Sequence, residues 1–208
     1  MNKINYQKIM ESVIDENRKN QKVPKLLLHS CCAPCSSYCL ELLSQHFEIV
    51  DFFYNPNIFP PEEYEKRLKE LDRFIGGTGM GPKFQNPVTL LEGRYDPDEF
   101  FQMAKGLEQV PEGGERCFAC FRLRLTEAAV IAKQVGADYF TTTLTISPLK
   151  NAQKINEIGL ELEKQYGVRY LCSDFKKKNG YKRSIELSAE YGLYRQNFCG
   201  CVYSRVEK

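Results

Sequence analysis

Lys25-Leu-Leu-Leu-His29, running straight into Ser30-Cys31-Cys32-Ala33-Pro34-Cys35-Ser36-Ser37, is the stretch that decides the fold. A short apolar run of this kind reads as a buried strand. A helix is expected to follow from about Ser37 to Gln45. The same strand-then-helix unit recurs down the chain. Residues 47–54 are a second strand, turned by Asn55-Pro56-Asn57. Residues 62–75 are a charged helix ended by Gly76-Gly77-Thr78-Gly79. Residues 88–91 are a third strand. Asp96-Pro97 opens a helix, with proline early and acids in its first turn. Residues 111–116 read as a loop, and Cys117-Phe-Ala-Cys120 opens a helix to about Val135. Residues 138–145 are β-branched and aromatic and read as a strand. A helix over 150–166, a strand over 168–172 and a helix over 181–191 follow. Tyr194-Arg-Gln-Asn-Phe-Cys-Gly-Cys201 is irregular.

This alternation predicts an α/β fold: a Rossmann-like, mostly parallel sheet with helices on both faces and right-handed crossovers. In such sheets ligands bind beyond the C-terminal ends of the strands. The first strand ends at Cys31, so a metal site is expected there. Residues 25–208 are expected to be one α/β catalytic domain. Residues 1–24 read as an N-terminal helical extension, apolar along Ile4, Ile9, Met10, Val13 and Ile14 and closed by Pro24. No internal repeat is visible.

The bulk properties agree with a folded soluble chain. At 208 residues with 42% hydrophobic side chains, it can bury a real core. No segment reaches the roughly 18 consecutive apolar residues of a membrane helix. The polar N-terminus lacks the apolar middle of a secretory signal. A cytoplasmic location with no membrane partner is the expectation. Nine cysteines are many for such a compartment, where stable disulfides are rare and clustered cysteines bind metal or do redox chemistry. Net charge is only +2, yet residues 164–208 hold ten Lys/Arg against four Asp/Glu. That basic stretch suits an acidic partner such as nucleic acid, and it equally suits a solvated surface.

The cysteines fall into three groups: Cys31, Cys32 and Cys35 at a strand-to-helix turn; Cys117 and Cys120 at a helix start; and Cys199 and Cys201 near the C-terminus. An i, i+3 pair at a helix N-terminus puts both sulfurs on one side, where the helix dipole favours thiolate. Thiolate ligands select zinc, cuprous copper or iron–sulfur clusters. Structural zinc prefers separated Cys-x2-Cys knuckles in small modules. Adjacent Cys31 and Cys32, at the mouth of a sizeable α/β domain, fit a four-cysteine cluster better. Cys199-Gly-Cys201 is open to two readings, as ligands of a second metal with Cys35 or as a dithiol that cycles with an easily reduced disulfide. Cys39 and Cys172 read as core residues, and His29 as a hydrogen-bonded core histidine. Thr141, Thr142 and Thr143 are explained by strand propensity. Arg116, Arg122, Lys150, Lys176, Lys177, Lys178, Arg183 and Arg195 could contact phosphates, though each is also an ordinary surface charge. Tyr54, Tyr181 and Tyr194 could stack on bases.

The whole pattern resembles the QueH family of epoxyqueuosine reductases. The resemblance rests on Cys-Cys-Ala-Pro at 31–34, Tyr-Asn-Pro-Asn-Ile at 54–58, Tyr64-Glu-Lys-Arg67 and Arg116-Cys-Phe-Ala-Cys-Phe-Arg122. It continues through Thr-Thr-Thr-Leu-Thr-Ile-Ser-Pro-Leu-Lys at 141–150, Asp174-Phe-Lys-Lys177, Gly180-Tyr181 and the 194–201 segment. It implies an oxidoreductase that removes the epoxide oxygen from epoxyqueuosine at the wobble position of tRNA, the last step of queuosine biosynthesis. It further implies a [4Fe–4S] cluster at Cys31, Cys32, Cys117 and Cys120. Cys199 and Cys201 match a pair described as a redox disulfide or as ligands of a second iron or other metal ion. Position 35 can be Asp in relatives, and Cys35 keeps a softer donor there. An unidentified electron donor is implied, and Asp174 and Tyr181 are candidates for the proton source.

Two rival readings have distinct signatures. An iron–sulfur tRNA thiolation enzyme of the ATP-pyrophosphatase type carries a Ser-Gly-Gly-x-Asp-Ser phosphate loop after its first strand. Here that turn is Ser30-Cys-Cys-Ala-Pro-Cys35, without glycines for close phosphate approach. A zinc-containing nucleic-acid-binding module would hold zinc and no sulfide.

Overall fold

Five parallel strands, in the order β3-β2-β1-β4-β5, form the sheet of the computed structural model, which describes residues 4–204. The first three residues of the expected N-terminal extension, and residues 205–208, lie outside the described residues. The elements in chain order are α1 (Tyr6–Lys19), β1 (Lys25–Ser30), α2 (Ala33–Leu43), β2 (Glu48–Phe53) and α3 (Pro61–Ile75). Then come β3 (Val88–Glu92), α4 (Pro97–Ala104), α5 (Glu115–Gln134), β4 (Tyr139–Thr142), α6 (Ala152–Tyr166), β5 (Arg169–Tyr170) and α7 (Gly180–Glu190).

Alternation along β1 splits the core into two layers. Leu26 and Leu28 face one side, with Leu40 and Leu43 of α2, Leu71 and Phe74 of α3, and Met10 and Ile14 of α1. Leu27 faces the other, with Leu125, Ala128 and Ala132 of α5 and Ile155, Ile158 and Leu162 of α6. Only part of the expected apolar side of the N-terminal extension is covered, since Ile4, ahead of α1, and Ile9 are exposed while Met10 is fully buried. Gly159 on α6 lets the Tyr170 ring lie against the helix, where an added Cβ would come within 2.4 Å.

Three boundaries differ from the sequence reading in ways that matter for the site. α2 begins at Ala33 rather than Ser37, with Cys32 as its N-cap and Pro34 in its first turn. Proline lacks the N–H that an early helical position leaves unused, so it starts a helix well. β4 stops at Thr142, where the Thr142 hydroxyl accepts from Leu144 N–H and turns residues Thr143–Ile146 into a 3-10 helix. β5 is reduced to two residues.

β1 pairs with β2 on one side and β4 on the other. The connections from β1 and β4 leave toward opposite edges, which opens a crevice at their C-terminal ends. Cys31 and Thr143 stand at that crevice, Sγ to Oγ1 3.8 Å. Among the described residues no helix is long and apolar enough to cross a membrane.

Candidate metal and redox site

The strand-end turn brings three thiols together. The sulfurs of Cys31, Cys32 and Cys35 all lie within 4.8 Å of one another, with Cys31 and Cys32 at 3.8 Å. Short strand, cap and first helical turn suffice to do this: Cys31 ends the turn, Cys32 caps α2 and Cys35 follows on the first helical turn. Donation from Cys32 and then from Cys35 lowers the Cys31 thiol well below the ordinary range, against the opposing effect of burial. The same sharing pushes Cys32 up to about 12 and Cys35 well above the usual thiol value. Of the three thiols, Cys31 is thus the one most readily deprotonated, favoured by two neighbouring S–H groups.

α5 supplies the next pair. Cys117 and Cys120 sit in its first two turns, and Gly113 N–H donates to the Cys117 sulfur at 3.2 Å. Burial raises both thiols, Cys120 to about 12. The C-terminal segment closes over them. Cys117, Cys120, Cys199 and Cys201 line one largely apolar cavity with Phe100 and Phe121. A second cavity, of about 270 Å³, is lined by Cys31, Cys32, Cys35 and Cys199. Cys199 thus borders both. All nine cysteines are free thiols here, including Cys199 and Cys201. Cys39 and Cys172 are core residues as expected, the first donating to the Cys35 carbonyl.

Two arginines that the motif reading assigned no role hold the site together. Arg67 is 2% exposed and pairs through Nε with Glu63 at 2.7 Å. Its Nη1 donates to the Cys199 carbonyl at 3.2 Å and its Nη2 to that of Phe198 at 3.5 Å. Gly200, at φ +106°, makes room for this arrangement, since a Cβ there would lie 2.9 Å from Ile58 and 3.1 Å from Arg67. Arg124, 1% exposed, lines both cavities. A signal for both was present in the pattern. Arg67 falls in the stripe Tyr64, Leu71, Phe74, and Arg124 in the stripe Cys120, Phe121, Leu125, Ala128. A charge at an apolar-stripe position is a buried charge.

The other candidates sort plainly. His29 is fully buried, bonded to Thr142 at 2.9 Å and to the Tyr54 carbonyl at 3.0 Å, and burial holds its pKa down to about 3. It is a neutral core histidine. The Thr141 hydroxyl donates to the Leu171 carbonyl. Tyr54 is fully buried and donates to Glu99, so it is not available to stack on a base. Arg116 clamps three backbone carbonyls of residues 107–110 instead of facing solvent. Arg122, Lys176, Lys178 and Arg183 are engaged with Glu161, Asp174, Glu11 and Glu41, and Arg195 donates to Ser188. Tyr194 sits under the Lys66 ammonium with its hydroxyl toward Glu63. Lys150 and Tyr181 line the thiol cavity, while Asp174 lines a separate one together with Lys150, Lys176 and Lys177. Burial alone would lower the Lys150 ammonium, but the negative charge that Cys199, Cys31 and Cys35 carry as thiolates more than offsets it.

The donor set fits a thiolate-bound metal. Seven sulfurs converge on two adjoining cavities beside cationic side chains. At the cavity of Cys117 and Cys120, the Asn57 amide, Arg116 Nε and Arg124 Nε are buried without hydrogen-bond partners. Orphaned N–H groups around sulfurs suit an electron-rich acceptor at that place.

Comparison with known proteins gives the family. The family model "Epoxyqueuosine reductase QueH" matches residues 26–207. A protein of that name from Staphylococcus epidermidis is 46% identical over 208 residues, covering 99% of this chain and 87% of its own length. One from Streptococcus pyogenes is 46% identical over 97% of this chain and 78% of its own. One from Thermotoga maritima is 36% identical over 88% and 91%. The chain belongs to the QueH family of epoxyqueuosine reductases.

Proposed function

We propose that this chain reduces epoxyqueuosine in the tRNA wobble position to queuosine, with an external one-electron donor and a [4Fe–4S] cluster. The observation that carries the reading is the meeting of seven thiols from three segments beside an open, cation-lined cavity. Residues 25–208 are the catalytic unit and α1 is an addition to it, which the start of the family match at residue 26 supports.

Loss of the epoxide oxygen as water takes two electrons and two protons. When bound, the cluster supplies electrons singly and an adjacent metal ion polarises the epoxide oxygen. The chain's own groups do the rest. The cavity of Cys31, Cys35 and Cys199 admits the modified base, with Tyr181 lining it. The Lys150 ammonium faces the reacting region from the rim and stabilises negative charge developing on oxygen. Tyr181 is the proton donor better placed than Asp174, which lies outside this cavity.

In the division of ligands that the family resemblance favours, Cys31, Cys32, Cys117 and Cys120 hold the cluster. Cys35, Cys199 and Cys201 then hold a second metal, or Cys199 and Cys201 cycle as a redox pair. One observation favours a second division. Cys31, Cys32 and Cys35 are close enough for a single ion, while Cys117, Cys120, Cys199 and Cys201 share the cavity with the orphaned donors. The test is anaerobic reconstitution followed by iron and sulfide analysis, and turnover of epoxyqueuosine tRNA read by nucleoside mass spectrometry. Turnover is expected to vanish in Cys117→Ala and Cys201→Ala, and unchanged turnover in both refutes the site. Cys199→Ser keeps full sulfide under the first division and loses it under the second. A colourless wild-type protein with zinc and no sulfide sinks the cluster.

A further inference from the structure

Three buried arginines surround the thiols, and they differ in what answers their charge. Arg67 has the Glu63 carboxylate. Arg116 has the carbonyls of Leu107, Glu108 and Val110. Arg124 has one neutral acceptor, Asn55 Oδ1. Its Nε–H has no partner, and among the described residues it makes no ion pair with a carboxylate. A guanidinium removed from water without an anion is heavily penalised, so a buried one implies a negative charge beside it. The groups facing Arg124 that can carry such charge are the sulfurs of Cys120, Cys31 and Cys199. The position follows from the sequence: Arg124 is four residues after Cys120 on α5, hence on the same helix face. Asn57, 1% exposed and lining the same cavity, has both amide atoms unpartnered.

We propose that Arg124, assisted by the Asn57 amide, is the built-in counter-charge and N–H donor to the thiolate-bound metal, and that it sets the ease of its reduction. The proposal rests on the metal-site reading above. A cluster held by thiolates is anionic, and an added electron makes it more so. A fixed cation in a water-poor site favours the reduced form, as do hydrogen bonds to sulfur. Arg124 is thus a positioning and tuning residue that touches the metal's ligands and leaves the substrate to other groups. Its side chain lines both cavities, so its charge acts on the thiols of each.

The test uses full-length protein reconstituted anaerobically with iron and sulfide, as wild type, Arg124→Lys, Arg124→Gln and Asn57→Leu. The reading is the midpoint potential of the bound cluster by dye-mediated titration, with iron and sulfide content measured on each sample. Arg124→Gln is expected to disfavour one-electron reduction by tenfold or more, a shift of about 59 mV to more negative potential. Arg124→Lys keeps the charge without the fork and shifts less. Asn57→Leu shifts less than Arg124→Gln and in the same direction. An unchanged or more positive potential in fully loaded Arg124→Gln overturns the proposal. If Arg124→Gln does not fold, an unchanged or more positive potential in both Asn57→Leu and fully loaded Arg124→Lys overturns it. If the wild type takes up no sulfide, the cluster reading fails, and cobalt(II) titration of the metal-free proteins decides for Arg124. About tenfold weaker cobalt binding by Arg124→Gln at fixed pH then supports the counter-charge, and equal affinity refutes it.

Discussion

Replacing Arg67 by Met tests whether α3 holds the cysteine-bearing tail in place. The side chain is 2% exposed and bonds Glu63 through Nε at 2.7 Å. The same guanidinium reaches the carbonyls of Cys199 and Phe198 and lies 5.2 Å from the Phe198 ring. Glu63 is 12% exposed and keeps only the Tyr194 hydroxyl after the change. Breaking a buried pair costs about 3–5 kcal/mol. Glu63 can recruit some water, and the 3.5 Å contact is weak, so about 2–4 kcal/mol is the working figure. The loss should fall on the tail. Arg67's carbonyl partners belong to the tail, which is also hung on α3 by Tyr194 N–H to Glu70. At about 1.4 kcal/mol per tenfold, tail opening should rise by roughly 30- to 700-fold. Hydrogen exchange reads this directly at Phe59, whose N–H donates to the Gly200 carbonyl, and at Tyr194. Amides of β1 serve as the internal control. Faster exchange confined to these positions is expected, with Arg67→Lys intermediate. Unchanged tail exchange, or equal acceleration in β1, would refute the reasoning.

Other perturbations have signs fixed by the same structure. Asp51 is fully buried between Leu28 and Leu90 in the sheet register, and burial raises its pKa from 3.8 to about 7 with only partial relief from Ser30. The folded state therefore binds the extra proton between these values, stability falls as pH rises through that window, and the full penalty is about 4 kcal/mol above it. Asp51→Asn should gain on wild type between pH 4 and pH 7 in denaturant titrations, and a pH-independent difference would count against the buried carboxyl. In metal-free protein, iodoacetamide followed by peptide mass spectrometry should modify Cys31 ahead of Cys32 and Cys120, and Cys35→Ala should slow it by removing one of the donating thiols. Earlier reaction at Cys32 would contradict the sharing described for the turn. Gly200→Ala adds strain of about 1–3 kcal/mol at a positive φ, plus contacts with Ile58 and Arg67. Turnover should drop sharply while the melting temperature moves by a few degrees, and wild-type turnover would show that tail geometry is not limiting.

The sheet was legible because short apolar and β-branched runs alternate with longer helical stretches along the chain. What the sequence hid was where elements end. Strand propensity carries Thr141 to Thr145 as one run, yet a side-chain hydroxyl at Thr142 captures the Leu144 amide and stops the strand. Propensity cannot anticipate this, since the competing bond is local and polar. The error at α2 had the opposite cause. Cys-Cys-Ala-Pro looks like a loop by composition, but alanine and proline are good first-turn residues, so the cysteines lie on the helix cap itself. That shift changes chemistry, because it puts Cys32 and Cys35 on the same helical turn and brings their sulfurs to Cys31.

The site was half legible for a related reason. Cysteines announce themselves by rarity, whereas arginines are common and read as surface by default. Glu62 to Arg73 looks like a helix charged all round, yet Arg67 occupies the row of Tyr64, Leu71 and Phe74. Arg124 does the same in the row of Cys120 and Leu125. A helix that places a charge on its buried row gives up stability unless something anionic or polar meets it there. For Arg67 the partners are Glu63 and the tail carbonyls, so its burial explains how a segment 130 residues later is brought to the turn. For Arg124 the chain offers only Asn55 and sulfur. Both charges are legible as buried from the helix row alone; only Arg124 shares its row with a cysteine, which joins it to the proposed thiolate site and leaves Arg67 to the tail.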